Sequence, residues 1–127
     1  MVYLIDDDES VRRALQRLLR SAGLDVRAFA SAEEFLQSGN LTQRACIVLD
    51  IQMRALTGFD LQEKLASKGI RIPTIAVSAL DDAETRERAR MLGAVAFFRK
   101  PVDGQALIDA IHWAMGVTKD KSGPSDS

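Results

Sequence analysis

The stretch "LIDDDES", Leu4 to Ser10, sets a short apolar run against three consecutive aspartates, a glutamate and a serine. Adjacent carboxylates repel one another, so their gathering at what looks like the end of a buried strand needs a reason. A solvated turn that caps a helix accounts for the triplet taken alone, because carboxylates are favourable near a helix N-terminus. The rest of the chain decides whether that is enough.

Outward from this stretch, β-rich apolar runs alternate with amphipathic ones: "VYLI", "VRAF", "CIVL", "TIAV" and "VAFF" are each followed by a helical pattern. The first helix sets Val11, Leu15, Leu18, Leu19 and Ala22 on one face, and the last sets Leu107, Ile108, Ile111 and Met115 on one face. Gly23, Gly39, Gly69, Gly93 and Gly116 each fall where a helical pattern stops. At the starts, Ser31 with Glu34 and Asp81 with Glu84 have capping-box spacing, and Thr57 and Asp103 serve as simpler caps. Strands and helices that alternate through short connections predict a parallel sheet covered on both faces by right-handed crossovers, a doubly wound three-layer α/β sandwich. The ending "GVTKDKSGPSDS" loses periodicity, so residues 118–127 are expected to form a flexible tail or truncated linker after a folded unit of residues 1–117.

Composition bounds the partners. The 127 residues are 46% hydrophobic and 28% charged, enough apolar material for the core of one domain. The formal charge of -1 leaves no overall basic field, so direct nucleic-acid binding by this chain is not expected. The single Cys46 sits in an apolar run and reads as a small buried hydrophobe of a reduced compartment. No apolar run approaches the roughly 20 residues a membrane span needs, and the chain is expected to be cytoplasmic.

Polar residues at the carboxyl ends of the predicted strands carry the chemistry: Asp6 and Asp7 after the first, Asp50 after the third, Ser78 after the fourth and Lys100 after the fifth. In an open α/β sheet these ends share one edge, and ligands bind there where the strand order reverses. Carboxylates collected in one pocket call for a cation, and oxygen-only ligands suit Mg²⁺, which favours phosphate oxygens. Asp50, closing the rigid run "CIVLD", is the candidate nucleophile. Lys100 supplies a compact cation and Ser78 a hydroxyl for phosphoryl oxygens. Together they suit carboxylate attack on phosphorus to give an aspartyl phosphate.

The segments "LIDDDESVRRAL", "IVLDIQMRALTGFDL", "IPTIAVSAL" and "AVAFFRKPVD" resemble the receiver domain of two-component response regulators over residues 1 to about 117. The resemblance implies a flavodoxin-like (βα)5 fold with strand order 2-1-3-4-5. It further implies that Asp50 is the phosphoacceptor, that Asp6 and Asp7 support Mg²⁺ with Asp50 and the backbone carbonyl of Gln52, that Ser78 and Phe97 are switch residues, and that Lys100 holds the phosphoryl group. Asp8 lies outside the motif and is read as a helix-start carboxylate. The implied partners are a sensor histidine kinase or a histidine phosphotransfer protein, and a homodimer through the face of the fourth helix, fifth strand and fifth helix. The sequence departs from the family at Arg54, where a proline is common, and at Thr57 before Gly58; Gln52 and Leu80 stand where the family tunes phosphoryl lifetime.

Plainer readings stand beside these. Phe97 and Phe98 both suit sheet core, one facing each side. His112 reads as a surface histidine near a helix end. Trp113 is expected to be exposed, opposite the apolar face of the last helix, and forms a candidate partner surface with Arg86 and Arg90. The fourth helix, "DAETRERARML", has few apolar anchors and reads as a solvated face or as a helix free to shift. Two other functions compete: a Mg²⁺-dependent phosphohydrolase of the haloacid-dehalogenase type, and a receiver-like binding module that works without phosphorylation. The first normally has a second Asp two residues after its nucleophile, where this chain has Gln52; the second needs none of the Asp, Ser and Lys set. As a receiver, the chain would catalyse only its own modification. Its output and cognate kinase stay open at this level.

Overall fold

The computed structural model describes residues 1–39, 44–53 and 56–116. Arg54 and residues 117–127, with the expected tail, lie outside them. Five strands and five helices alternate: β1 (Val2–Ile5), α1 (Glu9–Ser21), β2 (Val26–Phe29), α2 (Ala32–Gln37), β3 (Cys46–Asp50), α3 (Gly58–Ser67), β4 (Thr74–Ser78), α4 (Ala83–Met91), β5 (Ala94–Arg99) and α5 (Gly104–Ala114). The strands pair in parallel in the order β2-β1-β3-β4-β5, so the direction of winding reverses between β1 and β3.

Burial explains why the central strands read as unbroken apolar runs. β1, β3 and β4 are buried along their whole length, as expected of strands covered on both faces. One face packs Tyr3, Ile5, Ile47 and Leu49 against Phe35, Leu61, Leu65 and Ala89 from α2, α3 and α4. The other packs Val2, Leu4, Val48 and Ile75 against Leu15 and Leu19 of α1 and Leu107, Ile108 and Ile111 of α5. Phe97 joins the first cluster and Phe98 the second, the alternation expected of neighbours on a strand. Tyr3, Phe29 and Phe35 form a triad of rings with centroids 5.4 to 6.3 Å apart. Cys46 is fully buried, and burial pushes its thiol up to about 12, which keeps it protonated and unreactive.

Most helix ends follow the sequence reading. Asp8, Ser31 and Asp103 accept backbone N–H groups at their helix starts, and all five expected glycine stops have positive φ. Thr57 does more than expected, forming a reciprocal capping box with Asp60. At α4 the cap is Asp82 and not Asp81: the side chain of Asp82 accepts from Thr85, while Asp81 is drawn away into an ion pair with Arg86. Capping-box spacing alone overlooked that competing cation. No helix among the described residues is long and apolar enough to cross a membrane.

Gly58 shows where backbone space is tightest. It donates to the Ile51 carbonyl at 3.0 Å, and a Cβ at this position would lie 2.6 Å from Ile51 Cα and 2.7 Å from the Asp50 carbonyl oxygen. Both clashes are with backbone, so the β3–α3 connection would have to move. Gly58→Ala is expected to destabilise the fold by about 1–3 kcal/mol, the usual cost of overpacking. Urea unfolding checks this: a loss under about 0.5 kcal/mol, the range of ordinary surface substitutions, would show that the connection yields freely.

Candidate phosphoryl-transfer site

Strand register brings the polar residues together. Ile5 pairs with Leu49, which sets Asp6, the next residue, beside Asp50. Asp50 pairs with Val77, one residue before Ser78, and Ser78 pairs with Arg99, one residue before Lys100. Each group therefore stands at or one step past the end of a strand on the same edge, at the reversal between β1 and β3 and the strands beyond it. The Lys100 N–H donates to the Ser78 carbonyl at 2.9 Å, which ties the end of β5 to that of β4.

Lys100 Nζ lies 3.0 Å from Asp6 Oδ2 and 3.3 Å from Asp50 Oδ2. Asp6 and Asp50 are almost fully buried, whereas Asp7 is exposed. The other oxygens of the buried pair are held by backbone: the Asp8 N–H donates to Asp6 Oδ1 at 2.9 Å and the Gln52 N–H to Asp50 Oδ1 at 3.0 Å. Carboxylate oxygens of Asp6, Asp7 and Asp50 lie within 4.8 Å of one another. Among the described residues one ammonium, that of Lys100, stands between the two buried carboxylates of Asp6 and Asp50, which leaves this pair with excess negative charge. An all-oxygen donor set that is buried on one side and open through Asp7 on the other fits a hard divalent cation that keeps some of its waters.

The electrostatics carry the same imprint. Burial, and then the neighbouring charge of Asp6, push the Asp50 carboxyl up to about 6, although the Gln52 N–H and Lys100 pull against this. For Lys100, burial works to lower the pKa, but the hydrogen bond to Asp6 and the charges of Asp50 and Asp6 outweigh it and leave the ammonium above its ordinary value.

Ser78 is fully buried at the end of β4, and its Oγ accepts the Leu80 N–H at 3.0 Å. Gln52, expected to act through its backbone carbonyl, also engages its side chain: Oε1 accepts the Ala79 N–H at 3.2 Å and links the β3–α3 and β4–α4 loops across the site. Phe97 is half-buried, with the Arg86 guanidinium 4.9 Å from its ring centroid. Arg86 also pairs with Asp81, and Arg90 pairs with Glu87. Trp113 is half-buried, not exposed as the helical wheel predicts; a wheel takes no account of side-chain size, and tryptophan is highly buried on average. His112 is likewise half-buried.

Two features were missed. Arg12, half-buried in α1, donates from Nη1 to the Asp6 carbonyl at 2.9 Å and steadies the turn that carries the acid pair. A basic side chain one turn into the helix after "DDD" was the available signal. Leu80, Met91 and Val95 are 54%, 74% and 43% exposed, an apolar component of the surface around α4 and β5 that helical periodicity did not single out.

The raised carboxyl of Asp50 has a consequence for stability. Between about pH 4 and pH 6 the folded chain holds a proton on Asp50 that the unfolded chain has released. The contribution of this group to metal-free stability is therefore fully present below the lower pH and lost as pH rises through the window, by on the order of 2 kcal/mol. Asp50→Asn lacks this titration and should gain on the wild type by about that amount between the two limits. Urea unfolding of both proteins across the window checks the sign; parallel profiles would mean that Asp50 is not raised.

Comparison with known proteins agrees with the geometry. The family model of the response regulator receiver domain matches residues 2–112. The transcriptional regulatory protein TdiR of Thauera aromatica is 39% identical over 94% of this chain and 52% of its own length, and nodulation protein W of Bradyrhizobium diazoefficiens is 43% identical over 87% of this chain and 49% of its own. The chain thus spans about half the length of these relatives. The crystal structure of FixJ-N superposes with a TM-score of 0.84 at 31% identity, covering 94% of this chain and 95% of that one. Sheet order, convergent acids and sequence agree: the chain belongs to the response regulator receiver domain family.

Proposed function

We propose that residues 1–117 form a receiver unit that accepts a phosphoryl group on Asp50 from the phosphohistidine of a sensor histidine kinase or a histidine phosphotransfer protein. The observation that carries this reading is the position of Lys100 Nζ, within 3.3 Å of both Asp6 and Asp50 at the sheet edge where Ser78 also ends its strand. In the transfer, an Asp50 carboxylate oxygen forms a bond to phosphorus as the phosphorus–nitrogen bond of the donor breaks and the imidazole leaves. Asp50 is ionised above about pH 6, so the nucleophile is available at neutral pH. Lys100 can follow the incoming charge by exchanging a carboxylate contact for one to a phosphoryl oxygen. The hydroxyl of Ser78 can donate to a second oxygen. Asp6, Asp7, Asp50 and the carbonyl of Gln52 would hold Mg²⁺. Bound there, it would supply the positive charge that a phosphoryl group requires beside three carboxylates.

Output is proposed to run through Ser78 and Phe97 to the face of α4, β5 and α5, with Arg86, Arg90 and Trp113 on the partner surface and a homodimer as one product. Ala89 is the one buried residue of α4, which supports a helix that can move. The Leu80 N–H would lose its hydroxyl acceptor if Ser78 turned toward a phosphoryl group, and that would free the loop leading into α4. Phosphorylation should therefore move the NMR amide shifts of Phe97 and of residues 82–92; changes confined to the acid pocket would contradict this route.

The competing phosphohydrolase reading is disfavoured by the residue two places after Asp50. Gln52 offers no carboxylate there, and its amide spans to Ala79. Asp50→Asn should keep the fold and lose at least a hundredfold of Mg²⁺-dependent labelling by acetyl phosphate, in keeping with the loss of a nucleophile. Sustained turnover of p-nitrophenyl phosphate would instead identify a phosphohydrolase, and labelling that survives the substitution would remove Asp50 from its assigned role.

A further inference from the structure

Gln52 is bonded at both ends, to the phosphoacceptor and to the loop that leads into α4. Its backbone N–H donates to Asp50 Oδ1 at 3.0 Å, and its side-chain Oε1 accepts the Ala79 N–H at 3.2 Å. Extending the β3–β4 register past the pair of Asp50 with Val77 sets Gln52 level with Ala79, the first residue beyond β4. The Ile51 N–H still donates to the Val77 carbonyl at 2.9 Å in the manner of a sheet ladder. One step further on, the Gln52 amide stands in for a backbone acceptor and keeps Ala79 in line with its strand.

The loop of residues 79–82 therefore starts from a fixed point and is restrained by two side chains of the site. The Lys100 N–H holds the Ser78 carbonyl, Gln52 holds the Ala79 N–H, and Ser78 Oγ holds the Leu80 N–H. These restraints differ in kind. The Ser78 hydroxyl is fully buried and can turn to a phosphoryl oxygen, so a phosphoryl group itself releases Leu80. The Gln52 amide oxygen is an acceptor only, with nothing to offer a phosphoryl group, and it keeps its hold on Ala79 unless the loop pulls away. Gln52 and Ala79 are both exposed, so water can replace their bond without leaving a buried polar atom unpaired.

We propose that the Gln52 side chain is a latch on the β4–α4 loop: it holds Ala79 in the unphosphorylated position, and the loop must break this bond to follow Ser78 toward a phosphoryl group on Asp50. The side chain is a positioning one, acting through the loop and not on the reacting atoms. It opposes the switched state, so its removal strengthens the hold of the chain on a phosphoryl group. The inference rests on the reading of Asp50 as phosphoacceptor and adds to it a restraint that this reading does not require.

Beryllofluoride, a stable mimic of a phosphoryl group on a carboxylate, tests the latch on the full chain at saturating Mg²⁺. Gln52→Met keeps the length of the side chain and removes its acceptor, and should bind beryllofluoride roughly 2- to 10-fold more tightly than the native protein, the worth of one ordinary hydrogen bond. Without beryllofluoride, the same variant should show faster amide exchange at Ala79. In the native protein, binding should move the side-chain amide resonances of Gln52 toward those of a free glutamine, a readout that needs no variant to fold. Equal or weaker binding by Gln52→Met, or native Gln52 resonances that stay in place while beryllofluoride binds, would overturn the latch and leave Asp50 in its role. A native protein that takes up no beryllofluoride with Mg²⁺ would overturn both.

Discussion

Everything at the carboxyl edge of this sheet depends on two carboxylates, Asp6 and Asp50, buried side by side with one ammonium between them. Removing charge from water is costly, and one cation offsets only part of the charge of two buried anions. The pocket is therefore electrostatically underfilled. Burial first, and the neighbouring charge of Asp6 second, displace the acidity of Asp50, while the two carboxylates keep Lys100 firmly charged; such a pocket suits a divalent cation. The β-sheet makes the arrangement durable: strands paired on both sides deliver the acid groups with little freedom to separate.

The same edge shows how the sequence encodes position. Asp6, Asp50, Ser78 and Lys100 are far apart along the chain, yet each lies within one residue of a strand end. The apolar runs that precede them were readable because β1, β3 and β4 are buried on both faces. Register then converts four local endings into one site. Such a site is legible in sequence because it is built on rigid elements whose composition leaves little choice.

What was not legible involves side chains that choose among partners. Asp81 and Asp82 are chemically alike, and only the folded position of Arg86 decides which caps α4 and which pairs with the guanidinium. Trp113 departs from the helical wheel in exposure, since a wheel has no side-chain size. The link from the Gln52 amide to Ala79 crosses between loops 27 residues apart, and no local pattern announces it. The unpaired oxygen of Gln62 is of the same kind: "LQEKL" reads as an ordinary amphipathic turn, and only packing against α4 reveals that one glutamine has gone inside.

Arg86 holds the carboxylate of Asp81 on one side and the ring of Phe97 on the other. One guanidinium thus serves as a common hinge pin for a loop and a strand that share no covalent neighbourhood. A shift of Asp81 that carried Arg86 with it would therefore be felt at the ring of Phe97. In a receiver wired in this way, loop and strand would be expected to answer together, since one side chain is the shared tether of both.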